Sequence, residues 1–139
     1  MLCRARVSAD RRRRGVAAAE LAILLPFLAL LFVAAVDFGR VFYFYVTITN
    51  CARGGAIYAS SDASHTTDTT GITSAALADS SNLSPNPSVS STTGNDSAGN
   101  SYVKVTVTYT FQTISNFPLP GTPNSITLTR SVQMRVAPP

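Results

Sequence analysis

The sequence predicts an α+β chain: a long N-terminal membrane-spanning helix whose C-terminal half packs against a small antiparallel sheet of about three strands. Three observations predict it. Residues 16–36 form an apolar run of 21 residues interrupted only by Glu20. A helical repeat then continues to Ala59, and two late segments alternate with period two.

The apolar run comes first. At 1.5 Å per residue it spans roughly 31 Å, the hydrocarbon thickness of a bilayer. Pro26 lies inside it; a membrane helix tolerates such a proline as a kink because neighbouring groups satisfy the freed carbonyl. The segment before the run is basic. Arg4, Arg6 and Arg11, Arg12, Arg13 and Arg14 are offset only by Asp10, whereas the chain from Val16 onward holds five basic against six acidic residues. The overall +4 charge therefore describes the tip alone, and no basic patch remains to support a nucleic-acid partner. Arginines at that position hold their end of a span in the cytoplasm. The competing reading is a cleavable secretory signal, with Val33-Ala34-Ala35 as its small-residue site.

The helical pattern does not stop at Val36. Phe38, Val41, Tyr45, Ile48, Ala52, Gly55 and Ala59 recur at alternating spacings of three and four, one face of a helix. Arg40, Thr47, Asn50 and Arg53 fall away from it. The stripe narrows from aromatic to small residues, so a partner can approach its far end closely. Gly39 and Gly54-Gly55 are its weak points; two helices meeting near Asp37 remain the alternative. Cys51, on the same helix, reads as a small core residue. It and Cys3 have no spaced Cys or His companions, so neither a disulfide nor a metal site is expected.

From Ser60 the composition turns to Ser, Thr, Asn, Gly and Pro. Residues 65–70 read as a loop, with His65 a solvated residue in it, and 72–79 as a short helix. Pro85 and Pro87 punctuate a turn. Residues 102–111 (YVKVTVTYTF) alternate Val103, Val105, Val107, Tyr109 and Phe111 against Lys104 and three threonines. Residues 126–136 alternate again, with Arg130 interrupting, and 87–93 supply a third strand. The 14 residues between the last two strands, rich in proline, predict a long loop. Asn82-Leu83-Ser84 and Asn95-Asp96-Ser97 match a glycosylation acceptor but carry little weight in so Ser/Asn-rich a region.

Catalytic constellations do not emerge. There is no paired-carboxylate motif, no phosphate-cradling glycine loop and no Ser-His-Asp set beyond chance. An enzyme, a cofactor and a small-molecule substrate are not expected. The organisation expected is a leader at 1–15, a transmembrane helix at 16–36, its amphipathic continuation at 37–59 and a small extracytoplasmic head at 60–139.

One stretch carries the functional signal. RRRRGVAAAELAILLPF joins a basic leader ending in Gly15 to an apolar run starting at Val16, with Glu20 at its fifth residue. Gly15 lacks a Cβ, which lets a protease hold the backbone closely. A lone carboxylate in hydrocarbon is costly and usually pairs or marks function. Glu20 either snorkels to the cytoplasmic interface, about 7 Å away, favours the helix N-terminus, or meets a counter-ion. This stretch resembles the class III signal of type IV pilin-like proteins. With Pro26, Asp37-Phe38-Gly39-Arg40 and Thr49-Asn50-Cys51-Ala52-Arg53-Gly54-Gly55-Ala56-Ile57-Tyr58-Ala59, it resembles the TadE-like family of minor pseudopilins over about 45 residues. Leu21 departs from the family's common aromatic after the glutamate, and Gly54 from its usual acid after the arginine.

The resemblance implies cleavage between Gly15 and Val16 by a prepilin peptidase, and pairing of Glu20 with a neighbour's freed amine. It also implies a single-pass protein of the bacterial inner membrane, N-terminus cytoplasmic and head extracytoplasmic. The implied role is a structural subunit of a tight-adherence (Flp) pilus or related secretion machinery. Its implied partners are a major Flp pilin, another minor pseudopilin, an assembly ATPase and a membrane platform. A membrane-anchored or secreted interaction domain without a pilus role is the alternative.

Overall fold

The computed structural model describes the backbone of residues 5–113 and 125–137, and side chains from Val16 onward within those ranges. The elements in order are α1 (Ala5–Ser60), a 3-10 helix (Ala63–Thr67), α2 (Thr69–Leu77), β1 (Ser88–Asn95), β2 (Ser101–Gln112) and β3 (Ser125–Arg135). The chain divides into two compact units, Met1–Phe38 and Gly39–Pro139.

In the first unit α1 is already helical at Ala5, ahead of the expected start at Val16. Alanine and arginine are strong helix formers, and no proline stands before Pro26 to interrupt them. Side chains from Val16 to Val36 are exposed round the whole helix, as Ile23 at 78% and Phe32 at 70% illustrate.

The second unit contains the sheet, ordered β1-β2-β3 and antiparallel throughout. β2 is central, and its alternation is realised in full: Val103, Val105, Val107, Tyr109 and Phe111 are all buried. The opposite face is hydroxyl-lined, with Thr106 Oγ1 2.8 Å from Ser131 Oγ and Thr108 Oγ1 3.3 Å from Thr129 Oγ1 across the β2–β3 pair. Such cross-strand pairs fix register. The expected strand at 87–93 is β1, one residue later at its start and two later at its end. Asp96 builds the β1–β2 turn by accepting from the backbone N–H groups of Ala98 and Asn100. Gly99 completes it at φ +81°, a left-handed conformation that favours glycine. Most of the expected long loop, residues 114–124, lies outside the described residues.

The C-terminal part of α1 covers the buried sheet face. Ile48, Cys51, Ala52, Ala56 and Ala59 join the β2 valines, Leu83 and Ile72 in one core. The expected stripe is thereby corrected at its start. Phe38 is 77% exposed, and Thr47, expected to point away, is buried. Phe44 instead joins the cluster, its ring 5.5 Å from Tyr109 and 5.4 Å from Phe111. Arg40, also expected to point away, lays its guanidinium 4.9 Å from the Phe111 ring centre. Arg130, which interrupts the β3 pattern, stacks 4.0 Å over Tyr45. A cation over an aromatic face is a favourable way to place a charge on an apolar surface.

Gly54 and Gly55, expected as weak points, are contact points. A Cβ on Gly55 would meet Ala76 Cβ and Val105 Cγ1 at 3.1 Å, and one on Gly54 would lie 3.1 Å from the Ala75 carbonyl oxygen. Small residues here let α2 and β2 approach the helix backbone.

The loop expected at residues 65–70 is more structured. It holds the 3-10 helix and the start of α2, because each has an aspartate N-cap. Asp62 accepts from Ser64 N–H at 2.7 Å, and Asp68 from Gly71 N–H at 2.9 Å. Side-chain oxygens at this position satisfy donors that the helix leaves open. Asp68 also accepts from the Tyr58 hydroxyl at 2.8 Å, and Tyr58 stacks on His65 at 4.5 Å.

Two predictions follow from this packing. Gly55→Leu overfills the α1–α2–β2 contact and is expected to cost about 1–3 kcal/mol, read as a lower thermal midpoint of the full chain in detergent; an unchanged midpoint would contradict the contact. Hydrogen bonds from Gly71 N–H and the Tyr58 hydroxyl hold the Asp68 carboxyl below its usual range, as Ser64 does for Asp62 and Asn100 for Asp96. A carboxyl depressed by folding stabilises above the ordinary aspartate range, around pH 4, and loses that contribution as pH falls below it. Acid titration of stability should therefore show a loss below about pH 4, reduced in Asp68→Asn; an identical acid profile would refute the coupling.

Candidate functional site

The sequence-predicted site residues divide between the two units. In the first, α1 carries Arg11 to Arg14, Gly15, Val16, Glu20, Pro26, Asp37 and Phe38. The side chains of Arg11, Arg12, Arg13 and Arg14, and the surroundings of Gly15, lie outside the described residues. Val16 is 57% exposed, and Glu20 is exposed one helical turn further on. Four residues place Val16 and Glu20 on the same side of the helix, about 6 Å apart along its axis. A freed amine at Val16 and the carboxylate of Glu20 would thus share one accessible face.

This segment is apolar on every side. An amphipathic helix of a soluble domain buries one stripe, whereas here the most apolar 18-residue window has a mean hydropathy of 2.6 and is 6% buried. The helix is long and apolar enough to cross a membrane. Pro26 sits within it without ending it. Asp37 is the buried charged residue of the described set, at 7% exposure.

In the second unit the motif residues do packing work. Arg40 lies over Phe111 and Phe44. Ala52 is fully buried against the sheet, while Asn50 and Arg53 face solvent on the other side of the helix. Space for a side chain exists at Gly39, where an added Cβ would meet nothing within 4 Å. Cys51 is a buried free thiol in the core, as expected.

The head offers two further polar clusters. Ser61 Oγ stands 2.9 Å from His65 Nδ1 and donates to the Tyr58 carbonyl at 2.7 Å. With Asp68 engaged by Tyr58 and Gly71, these bonds pin the corner where α1 gives way to α2. An open cleft of about 670 Å³ is lined by Thr66, Asn95, Asn100, Tyr102 and Arg135, among others; Arg135 pairs there with Asp96 at 3.2 Å. Among the described residues no three His, Cys, Asp or Glu side chains group closely enough to hold a metal.

Sequence reasoning missed the Asp62 and Asp68 caps and the two stacked arginines. The caps had a signal, an aspartate ahead of each short helix. The arginines had none, since their aromatic partners Phe111 and Tyr45 stand 71 and 85 positions away in the chain.

Compared with known proteins, residues 15–56 match the family model described as TadE-like protein. No curated protein and no solved structure matches the chain. The family match begins at Gly15, takes in the entire apolar run and Glu20, and ends on the small-residue face that packs the sheet. The chain carries a TadE-like segment at residues 15–56, consistent with a TadE-like protein of the tight-adherence pilus system.

Proposed function

We propose that the protein is a minor pseudopilin, a structural and assembly subunit of a tight-adherence pilus or related secretion machinery. The observation that carries this reading is the coincidence at one place of three features. Gly15 closes a basic segment, an apolar span opens at Val16, and Glu20 is the span's fifth residue. The family match opening at Gly15 supports it.

In this reading a prepilin peptidase cuts the Gly15–Val16 bond on the cytoplasmic side of the inner membrane. Before the cut, Arg11 to Arg14 hold that end of the helix against being drawn into the bilayer. The cut removes all six leader arginines and leaves a protonated amine on Val16. The apolar span of each subunit then opens with one positive and one negative group a helical turn apart. An unpaired carboxylate at the bilayer centre costs about 3 kcal/mol on insertion scales, and one a turn inside the edge pays part of that. Pairing Glu20 with the amine of an adjacent pilin removes that penalty and sets the axial stagger of parallel helices. An unassembled subunit holds Glu20 at the cytoplasmic interface instead, so assembly and pairing are coupled. The major Flp pilin, a related minor pseudopilin and the membrane assembly platform are the partners in this scheme; the head's chemistry is recognition and not catalysis.

Two substitutions test the scheme. Gly15→Lys should abolish processing and leave a full-length band on immunoblots of membranes, and normal processing would reject the peptidase step. Glu20→Ala should be processed normally yet lower pilus output at least several-fold, because the neighbouring amine is left without its counter-ion. Wild-type output from Glu20→Ala would reject the pairing.

A further inference from the structure

We propose that Phe42 and Tyr43, the end of an apolar crest that runs on to Val46, seat in the lipid headgroup layer of the bilayer that α1 crosses. The inference rests on the membrane reading of α1 and extends it to the unit beyond.

Within residues 39–139 the exposed large apolar side chains of the described set are Phe42 at 64%, Tyr43 at 55%, Val46 at 43%, Ile57 at 54% and Ile126 at 39%. Three of these five fall in the first eight positions of the unit. Scattered apolar side chains are ordinary on protein surfaces, but these three are helical neighbours. Phe42 and Val46 are four apart and Tyr43 and Val46 three apart, so they share one face. The residues among and beside them turn inward: Val41 and Phe44 pack against the core and Ile48 is fully buried. Along the helix the crest ends at Val46, followed by the exposed polar Asn50 and Arg53.

Depth selects the occupant. A hydrocarbon layer of about 30 Å takes about 20 helical residues. Counted from Val16 it ends near Val36; counted from Glu20 held at the cytoplasmic edge, it ends near Arg40. Phe42 then lies between about 3 and 9 Å past the hydrocarbon, and the headgroup layer on each side is about 5–8 Å thick. Aromatic side chains with an apolar body and a polar tip concentrate at that level. Tyr43 has this form: its ring is exposed while its hydroxyl accepts from Asn82 Nδ2. Asn82 belongs to the polar α2–β1 connection, so an amide and a phenol stand beside the apolar crest. Ile57 is as exposed as Tyr43 but lies about 22 Å further along α1 than Phe42, beyond any lipid contact.

The chain contains no tryptophan, so each substitution introduces a single one, excited selectively over the tyrosines. The full chain is reconstituted into phosphatidylcholine–phosphatidylglycerol vesicles as Phe42→Trp, Leu24→Trp or Ile57→Trp. Quenching is measured with headgroup spin-labelled lipid, acyl-chain brominated lipid and aqueous iodide. Phe42→Trp should emit to the blue of Ile57→Trp and be quenched most by the headgroup label. Leu24→Trp should be quenched by the brominated chains, and Ile57→Trp by iodide alone. The proposal is overturned if Phe42→Trp behaves like Ile57→Trp while Leu24→Trp answers to the chains; the membrane reading then stands without the crest. Loss of lipid quenching at Leu24→Trp as well would defeat both. Shielding of Phe42→Trp from every quencher in proportion to protein density would identify a second copy as the occupant and also overturn the proposal.

Discussion

One helix carries two segments that make opposite demands on its side chains. From Val16 to Val36 the side chains of α1 are apolar in every direction except at Glu20, which suits a solvent with no hydrogen bonds to offer. From Ile48 to Ala59 only one face is buried, and beyond Ile48 it is built from Ala, Gly and Cys because a β-sheet must lie close against it. A helix that kept large residues to its end would hold the sheet away and leave Val103, Val105 and Val107 in water. A helix that became amphipathic earlier would lose the uniformly apolar length that suits it to cross a membrane. The change of residue size along α1 is therefore the constraint on which the soluble unit depends.

The sheet answers the same constraint from its own side. β2 is flanked by a strand on each edge and buries every second residue, so it supplies a continuous apolar floor. β3 is more exposed, and its one charged residue on the inner face, Arg130, is accommodated by the Tyr45 ring. Arg40 is accommodated likewise by Phe111 and Phe44. These two stacked guanidinium groups let arginines reside at the border of an aromatic core without an unpaired charge facing an apolar surface. At the other end, the Tyr58–Asp68 bond and the two aspartate caps fold the chain back from α1 onto α2 through a corner made almost wholly of Ser, Thr and Asp.

Much of this was legible in the residues. The period-two alternation of Val103 to Phe111 named the buried face of β2 correctly, and the three-four spacing from Val41 to Ala59 found the packed face of the helix. Its edges were less legible. Phe38 satisfied the spacing yet is exposed, and Thr47 broke it yet is buried, because periodicity fixes an angle only to within the width of one residue while packing is set by where the partner ends. Phe44 joins the core because Tyr109 and Phe111 reach it, a fact held in residues more than 60 positions away. The Asp62 and Asp68 caps were hidden in a stretch whose composition is the same for loops and for helix termini. Gly54 and Gly55 read as weaknesses by propensity, yet the narrowing of the stripe to small residues already pointed to the close approach that Gly55 makes. For the candidate site, Gly15, Val16 and Glu20 were recognisable only as a motif, because their significance lies in chemistry with other molecules and not in contacts within this one.

In the proposed reading the basic segment is a leader and the working protein begins at Val16. Intact mass of the chain recovered from its native membrane tests this most directly. A mass corresponding to residues 16–139 is the predicted result, with the Val16 amine as the new terminus. The full 139 residues, or a chain cut after the Val33-Ala34-Ala35 site, would contradict it and leave a tethered or secreted β-rich module in place of a pilus subunit.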